Sequence, residues 1–508
     1  MRNLKKILSA SLALVLAVSL VACNKADDKG SQEINKSNDE VQVDPAKLDF
    51  EAENLPNYDG KGVTLSYYTV GTAPEDLKKV QDKINEYLKE KMNISVEITY
   101  MSWSDYGSNM NTIINGGEKY DIAFGSPITG VNRFIHHGLF ADVSKLLPAT
   151  PNLEALIPKD VWQGVTLGNG AIFGVPAYKD SSATQYWVWD EEMVNKYNID
   201  YKNIISLDDM TPVLELLKKE NPQMYPMYLN KSGINSLNFE YEPLAGGIGV
   251  LFGTTKAVNI YAEEQVQNKF RTLAKWHELG YINPDAGTLD EVPKGDNNIF
   301  SAQGFPGAEV GWGKYSHGAP VVTNPRLGPM YTSGTIQGSY MVISAGSSNQ
   351  EAAIKLLERI NVDKYLRNLF NYGIEGVHFE KVEGKENTVV RTEDGAKKYN
   401  VPSYSQGQFM NLYVEDPNPE DQWLKVAEQN TKAETSPILG FVFNPDSVET
   451  EIAGLENVTE KYFSALNTGS TNPDQALEDM LKEMEAVGVE KVIEEAQKQI
   501  DEFLAAKK

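Results

Sequence analysis

The sequence of 508 residues contains only one cysteine and five histidines. A single cysteine excludes a disulfide framework, a thiolate zinc site and a CxxC redox pair. The histidines lack metal-binding spacing, because His136 and His137 are adjacent and His277-Glu278 lacks the second histidine of an HExxH motif. The sequence therefore predicts no metal site and no cofactor.

Positive charge is also scarce. The chain has 47 lysines and arginines against 71 aspartates and glutamates, which gives a net charge of −24. Phosphate binding requires basic stripes, so this composition argues against a nucleic-acid partner. An acidic surface is typical of a soluble monomer, and the mean hydropathy of −0.39 excludes a multi-span transporter.

Motifs of known catalytic sites are missing as well. The sequence contains neither a phosphate-binding GxxxxGK[ST] loop nor a GxSxG nucleophile elbow. Glycoside hydrolysis needs two carboxylates roughly 5–10 Å apart. With 71 acidic residues such a pair stays open, although none stands out. These absences favour a protein that is not an enzyme.

The longest apolar run, Ile7 to Leu20, follows the basic residues Arg2, Lys5 and Lys6. As a helix it would span about 21 Å, short of the roughly 30 Å hydrocarbon core of a membrane. A basic start followed by a short apolar run is typical of a secretory signal peptide.

The next residues, Leu20-Val21-Ala22-Cys23, resemble the lipobox of bacterial lipoproteins. The resemblance implies cleavage before Cys23 and a diacylglycerol on its sulfur, which with a further acyl chain gives a stable membrane anchor. A plain secretory signal with an incidental cysteine is the alternative. The polar stretch that follows cannot bury enough apolar surface to order itself, so residues 23–59 are predicted to form a lipid-anchored flexible tether.

The folded part is predicted to begin with alternating strands and helices. Strand patterns at Val63–Val70, Ile94–Tyr100 and Tyr120–Phe124 alternate with helical patterns at Leu77–Met92 and 104–116. This β-α-β-α-β order predicts an open parallel sheet. Ligands of such sheets bind beyond the carboxyl ends of the strands.

Two residues follow these strand ends. Trp103 comes after the second strand and Ser126 after the third. Both are therefore predicted to face the binding edge of the sheet.

A second α/β section is predicted from near residue 180, and helices are predicted to end the chain. The patterns predict the following elements: helices near 206–220 and 257–279, a Gly/Pro-rich passage over 284–338, a strand at Tyr340–Ser344, and helices at Gln350–Ile360, 473–487 and 489–504.

Aromatic residues in loop contexts are candidates for ligand contacts, because planar rings suit the apolar faces of sugars. Trp312, flanked by Gly311 and Gly313 at a predicted strand end, is the first candidate, and Tyr241 is another. Packing in the core is the alternative for each ring.

Several segments resemble extracellular solute-binding proteins, family 1, which are substrate-binding lipoproteins of carbohydrate ABC transporters, and specifically their lipoprotein LplA-like group. The segments are Tyr120–Phe124 with Gly138–Asp142, Gly174–Tyr178 running to Trp189–Glu191, Trp276–Pro284, and Gly440–Pro445 through Glu494–Ile500.

The resemblance implies an α/β, two-lobe, periplasmic-binding-protein-like fold with a hinge between the lobes and long C-terminal helices. It divides the chain into these expected parts: signal peptide 1–22, tether 23–59, first part of lobe 1 60–178, first part of lobe 2 179–335, second part of lobe 1 336–400, and completion of lobe 2 with the C-terminal helical region 401–508.

By analogy with maltodextrin-binding relatives, Asp180 matches a hinge-side carboxylate that hydrogen-bonds sugar hydroxyls. Tyr241 lies in a block that carries stacking aromatics, and Trp312 lies where a relative places a tryptophan against a sugar. Gly125-Ser126 stands where the relatives have an aromatic residue, so the first-lobe contacts depart from the family pattern.

The implied function is capture of an oligosaccharide between the lobes, without covalent chemistry, and its delivery to the permease subunits of an ABC importer. The protein would act as a monomer on the extracellular face of the cell membrane, anchored through lipid on Cys23. A receptor for peptides or another polar solute is the first alternative, and a surface-anchored glycoside hydrolase is the second.

Overall fold

The computed structural model describes Leu55, Tyr58 and residues 60–507. The predicted signal peptide, Cys23 and nearly all of the predicted tether lie outside these residues. None of the helices in the described part combines the length and the hydrophobicity needed to cross a membrane.

The strands and helices alternate along most of the chain. The strands are β1 (Val63–Val70), β2 (Ile94–Met101), β3 (Ile122–Gly125), β4 (Val175–Pro176), β5 (Ala183–Asp190), β6 (Tyr241–Ala245), β7 (Ile248–Leu251), β8 (Ala257–Asn259), β9 (Ile299–Gly304), β10 (Val321–Tyr331), β11 (Tyr340–Ile343), β12 (Phe379–Lys381), β13 (Thr388–Arg391), β14 (Val414–Glu415) and β15 (Glu434–Thr435). The α-helices are α1 (Leu77–Met92), α2 (Trp103–Asn115), α3 (Pro151–Leu156), α4 (Lys159–Gln163), α5 (Glu191–Tyr197), α6 (Leu207–Glu220), α7 (Glu264–Glu278), α8 (Ala308–Gly311), α9 (Ser333–Gln337), α10 (Gln350–Val362), α11 (Lys364–Tyr372), α12 (Glu393–Lys398), α13 (Gln422–Thr431), α14 (Glu449–Thr468), α15 (Pro473–Val487) and α16 (Val489–Ala506).

The first lobe is built on a five-stranded sheet in the order β2-β1-β3-β11-β4. β1 pairs in parallel with both β2 and β3, as the alternating pattern predicts. β11 then joins β3 and β4 in antiparallel pairs. α1 buries Val80, Ile84 and Leu88 against this sheet, which is the apolar face expected for a helix with 3.6 residues per turn.

The second lobe combines a four-stranded sheet, β15-β10-β5-β9, with the three-stranded sheet β6-β7-β8. Its core includes Trp187, Phe270, Trp276 and buried residues of α14, α15 and α16. The helix predicted over 257–279 is wrong at its start, because residues 257–259 pair with β7 as β8 and the helix begins only at Glu264.

Two separate apolar cores define the two lobes of the described chain. Three segments connect them, near 178–183, 331–340 and 436–442. In the last segment Leu439 packs in the first core, whereas the adjacent Ile438 packs in the second. The two-lobe fold with a hinge and long C-terminal helices is therefore confirmed.

The residues of the predicted part 401–508 do not all pack in lobe 2, because some of them belong to a third, smaller apolar cluster or to the first core. Phe409 and Leu412 pack in the third cluster with Tyr372 and Phe379, beside the sheet β12-β13-β14, while Val401 packs in the first core. The domain boundaries drawn from the sequence stay a prediction.

Candidate functional site

A cavity of about 540 Å³ lies between the lobes, and we call it the interlobe cavity. Lobe 1 contributes residues between 126 and 133, and lobe 2 contributes residues 242–245 and part of α14. The crossing segments contribute α9 and residues between 438 and 445. Its volume falls within the roughly 300–1,000 Å³ of ligand pockets, and a site between lobes is a common place for one.

Ser126 lies on the lobe 1 side of this cavity, directly after β3. The residue is fully buried, and its hydroxyl has no hydrogen-bond partner in the described part of the chain. A buried hydroxyl left unpaired costs free energy, so the site favours a ligand that can bond to it. The preceding Gly125 is required by packing, because a Cβ there would lie 2.2 Å from the ring of Tyr340. The Tyr340 ring therefore occupies the space that a side chain at position 125 would need.

Glu242 lies on the lobe 2 side, in β6, and only 6% of it is exposed. The Ser436 hydroxyl donates a hydrogen bond to Oε1, whereas Oε2 has no partner among the described residues. Burial raises the pKa of this carboxyl from 4.5 to about 7. Two residues that line the interlobe cavity, one from each lobe, thus carry a buried oxygen without a hydrogen-bond partner among the described residues.

The raised pKa of Glu242 predicts a pH-dependent stability. Because the folded protein binds this proton more tightly than the unfolded chain does, the contribution of Glu242 to the free energy of unfolding is fully present below pH 4.5. That contribution is lost as the pH rises through 7. The loss amounts to roughly 3 kcal/mol at 1.36 kcal/mol per pKa unit. Glu242→Gln does not titrate, so its melting temperature should rise relative to wild type between pH 5 and pH 8. A constant difference across that range, measured by thermal melting, would contradict the assignment.

Tyr241 precedes Glu242 but points to the other side of β6, as alternation along a strand requires. Its ring is buried in the second core, and its hydroxyl contacts Gln265 and Glu263. Stacking on a sugar would require an exposed ring face, which this packing does not provide. Tyr241 lines a second cavity within lobe 2 with the rest of its side chain, and its predicted role in sugar binding stays a prediction.

Trp103 lies in the first turn of α2. The helix begins one residue earlier than predicted, because the Ser102 side chain caps it by accepting a hydrogen bond from the Asp105 amide. The Trp103 side chain is 40% exposed. Its ring stands edge-on to Phe124 at 6.0 Å and lies 6.2 Å from the ring of Tyr404. Trp103 and Tyr404 form an aromatic surface at the edge of lobe 1. The sequence did not predict Tyr404 as a site residue, because only the tertiary fold brings it beside Trp103.

Asp180 lies in the first crossing segment. The Lys179 ammonium donates a hydrogen bond to its carboxylate at 2.8 Å, and both side chains are largely buried. The Asn430 amide in turn donates to the Lys179 carbonyl. The Asp180 carboxylate, which the sequence assigns to sugar hydroxyls, thus forms an ion pair with Lys179 at the hinge.

Trp312 does not lie at a strand end, which corrects the prediction. β9 ends at Gly304, and Trp312 begins a π-helical segment that follows α8. Its ring packs 5.8 Å from that of Tyr186. A Cβ at Gly304 would lie 2.5 Å from the indole, so this glycine makes room for the ring.

The fold brings Ser126 together with Glu242 at one cavity. Trp103, Asp180 and Trp312 do not line that cavity in the described structure. Within the same part of the chain, no three or more His, Cys, Asp or Glu side chains are grouped to hold a metal ion.

Comparison with known proteins identifies the family of this chain. Residues 71–360 match the model for bacterial extracellular solute-binding proteins, and residues 437–505 match a domain of unknown function, DUF3502. A carbohydrate ABC transporter substrate-binding protein of Streptococcus pneumoniae is 31% identical over the full length of both chains.

Solved structures agree with the sequence match. An N-glycan transport solute-binding protein of S. pneumoniae is 29% identical, with a TM-score of 0.78, covering 88% of this chain and 100% of the other. A structure of that protein in complex with Man5GlcNAc is 28% identical, with a TM-score of 0.66, covering 88% and 99%. The chain belongs to the family of bacterial extracellular solute-binding proteins.

Proposed function

We propose that the protein captures an oligosaccharide of mannose and N-acetylglucosamine between its lobes and delivers it to the permease subunits of an ABC importer. The observation that carries this proposal is the interlobe cavity, which Ser126 and Glu242 line from the two lobes, each with a buried oxygen that lacks a hydrogen-bond partner among the described residues. Relatives named for carbohydrate and N-glycan transport support the choice of ligand.

Sugar hydroxyls can satisfy both oxygens at once, since each hydroxyl donates and accepts hydrogen bonds. A neutral ligand also adds no further charge to a site that already buries a carboxyl group. A peptide would bring charged termini, and Arg133 is the lone basic residue among the described residues that line the cavity. These features favour a sugar over a peptide.

Two partly exposed aromatic rings outside the interlobe cavity extend the proposed site. Trp103 offers a partly exposed indole at the edge of lobe 1, and Trp312 lies beside Tyr186 in lobe 2. Asp180 would bond to sugar hydroxyls from the hinge. Binding between two lobes stabilises the closed arrangement by contacts to both, and this requires no covalent step.

The family places the protein outside the cytoplasm. The finer proposal is that lipid on Cys23 anchors a monomer to the extracellular face of the cell membrane. Residues 23–59 would then hold the lobes away from the bilayer, and the predicted lobe boundaries would apply to the folded part.

The two tryptophans test the proposal through binding. Trp103→Ala and Trp312→Ala should each weaken binding of Man5GlcNAc by about 1–3 kcal/mol, because each loses a stacking surface. Isothermal titration calorimetry gives the affinities. Tyr365→Ala is the matched control, since this exposed ring lies on α11 and lines neither proposed surface, and its affinity should not change.

Two outcomes would contradict the proposal, and a third would change only its list of site residues. Wild-type protein that binds no sugar but binds peptides would favour the first alternative. Release of sugar from an oligosaccharide panel would favour a glycoside hydrolase. Unchanged affinity in either tryptophan variant would remove that residue from the site.

A further inference from the structure

A second cavity, of about 720 Å³, lies within lobe 2, and we call it the lobe-2 cavity. It is bounded by the loop 230–238, the β6–β7 hairpin and part of α14. Pro243, Leu244 and Ala245 line both this cavity and the interlobe cavity, and Pro243 is exposed. The two cavities therefore adjoin along β6.

The lining of the lobe-2 cavity is neutral. Among the described residues that form it, none carries a charge, although 23% of the chain is charged. Amide and hydroxyl side chains supply its hydrogen-bonding groups, namely Asn230, Ser232, Asn235, Ser236, Asn238 and Asn467. This chemistry matches a neutral, hydroxyl-rich ligand and gives no counter-charge for an ionic one.

Aromatic rings line the same cavity. Phe463 on α14 is 41% exposed although it is a large apolar side chain. Tyr261 is partly exposed, and its ring is stacked on Phe270 at 6.2 Å with an interplanar angle of 15°. Exposed flat rings beside neutral hydrogen-bonding groups are the combination that binds sugar rings.

Close packing fixes the backbone around this cavity. Gly233 has φ +69°, and a Cβ there would lie 2.3 Å from the Asn467 carbonyl oxygen of α14. Gly246 has φ +55°, and a Cβ there would lie 2.8 Å from the Leu455 side chain. Left-handed backbone of this kind favours glycine. The loop and the hairpin are thus held against α14 before any ligand arrives.

We propose that the lobe-2 cavity is a second glycan subsite, which binds the outer residues of a neutral oligosaccharide whose other end lies in the interlobe cavity. This inference rests on the proposed function. Each cavity alone has the size of an ordinary ligand pocket, and the two together exceed the roughly 1,000 Å³ upper end of that range. The protein would therefore select long or branched oligosaccharides over short ones.

The test compares two sugars on the full chain in detergent. Phe463→Ala should weaken binding of Man5GlcNAc about tenfold, while binding of Man1GlcNAc stays within about twofold of wild type. Asn235→Ala should give the same pattern through a different side chain. Leu216→Ala is the control, because this exposed residue lies on α6 of the same lobe and lines neither cavity.

The outcomes separate the inference from the function on which it rests. If both sugars bind and the Phe463 and Asn235 variants weaken them equally, or weaken neither, the subsite is refuted and the proposed function stands. If wild-type protein binds neither sugar, the proposed function fails and the subsite fails with it.

Discussion

Glu242→Ala should lower the affinity for Man5GlcNAc about a hundredfold at pH 8, where the carboxyl group is mostly ionised. A hydrogen bond to a charged group contributes about 1.5–3 kcal/mol, and each 1.4 kcal/mol is tenfold in affinity. Glu242 lines the interlobe cavity and has a carboxyl oxygen without a partner among the described residues, so an alanine there removes a hydrogen-bond acceptor. Isothermal titration calorimetry measures the change.

The control for this variant is another buried carboxyl group. Glu358 accepts hydrogen bonds from the amides of Asn152 and Leu153 at the start of α3 and lines neither cavity. Glu358→Ala should therefore lower stability and leave affinity unchanged. Equal affinity loss in the two variants would show that the Glu242 effect is only a loss of folding.

Arg367→Leu should lower the free energy of unfolding by about 3–5 kcal/mol, because removing one partner leaves several buried acceptors unpaired. The guanidinium is fully buried and donates to the carbonyls of Ser403 and Gln408 at 2.8 Å and to the Gln406 side chain at 3.0 Å. Burial lowers its pKa to about 10, so it stays charged at neutral pH. Denaturant unfolding followed by tryptophan fluorescence measures the loss.

The same variant should also weaken sugar binding, because Arg367 holds the segment that carries Tyr404 beside Trp103. Arg271→Leu is the control, since this exposed arginine pairs with Asp474 at the surface and such pairs contribute about 1 kcal/mol or less. A stability loss for Arg367→Leu no larger than that of the control would contradict this account.

Local patterns predicted most of the first lobe. The alternation of β1 and β2 and the apolar stripe of α1 depend on neighbours in sequence, so the parallel pairing of β1 with β2 followed from them, whereas the antiparallel strand β11 did not. The helix predicted from 257 was wrong at its start because residues 257–259 pair with β7, and Val258 and Asn259 are weak helix formers. The prediction that Trp312 lies at a strand end was wrong, because no local sequence pattern indicates the π-helical segment that contains it.

The site was harder to predict than the fold. Side chains alternate along β6, so Tyr241 and Glu242 face opposite sides of the strand. This alternation could have identified Glu242 as a candidate site residue from the sequence. Tyr404 and the ring of Tyr340 reach their places only through contacts between segments far apart in sequence. No pattern of spacing predicts such contacts.

A crystal structure of the protein with Man5GlcNAc tests the central claim most directly. The account predicts sugar density in the interlobe cavity, with a hydroxyl within about 3 Å of Glu242 and another beside Ser126. Sugar bound away from both residues, or an interlobe cavity without sugar at saturating concentration, would contradict it.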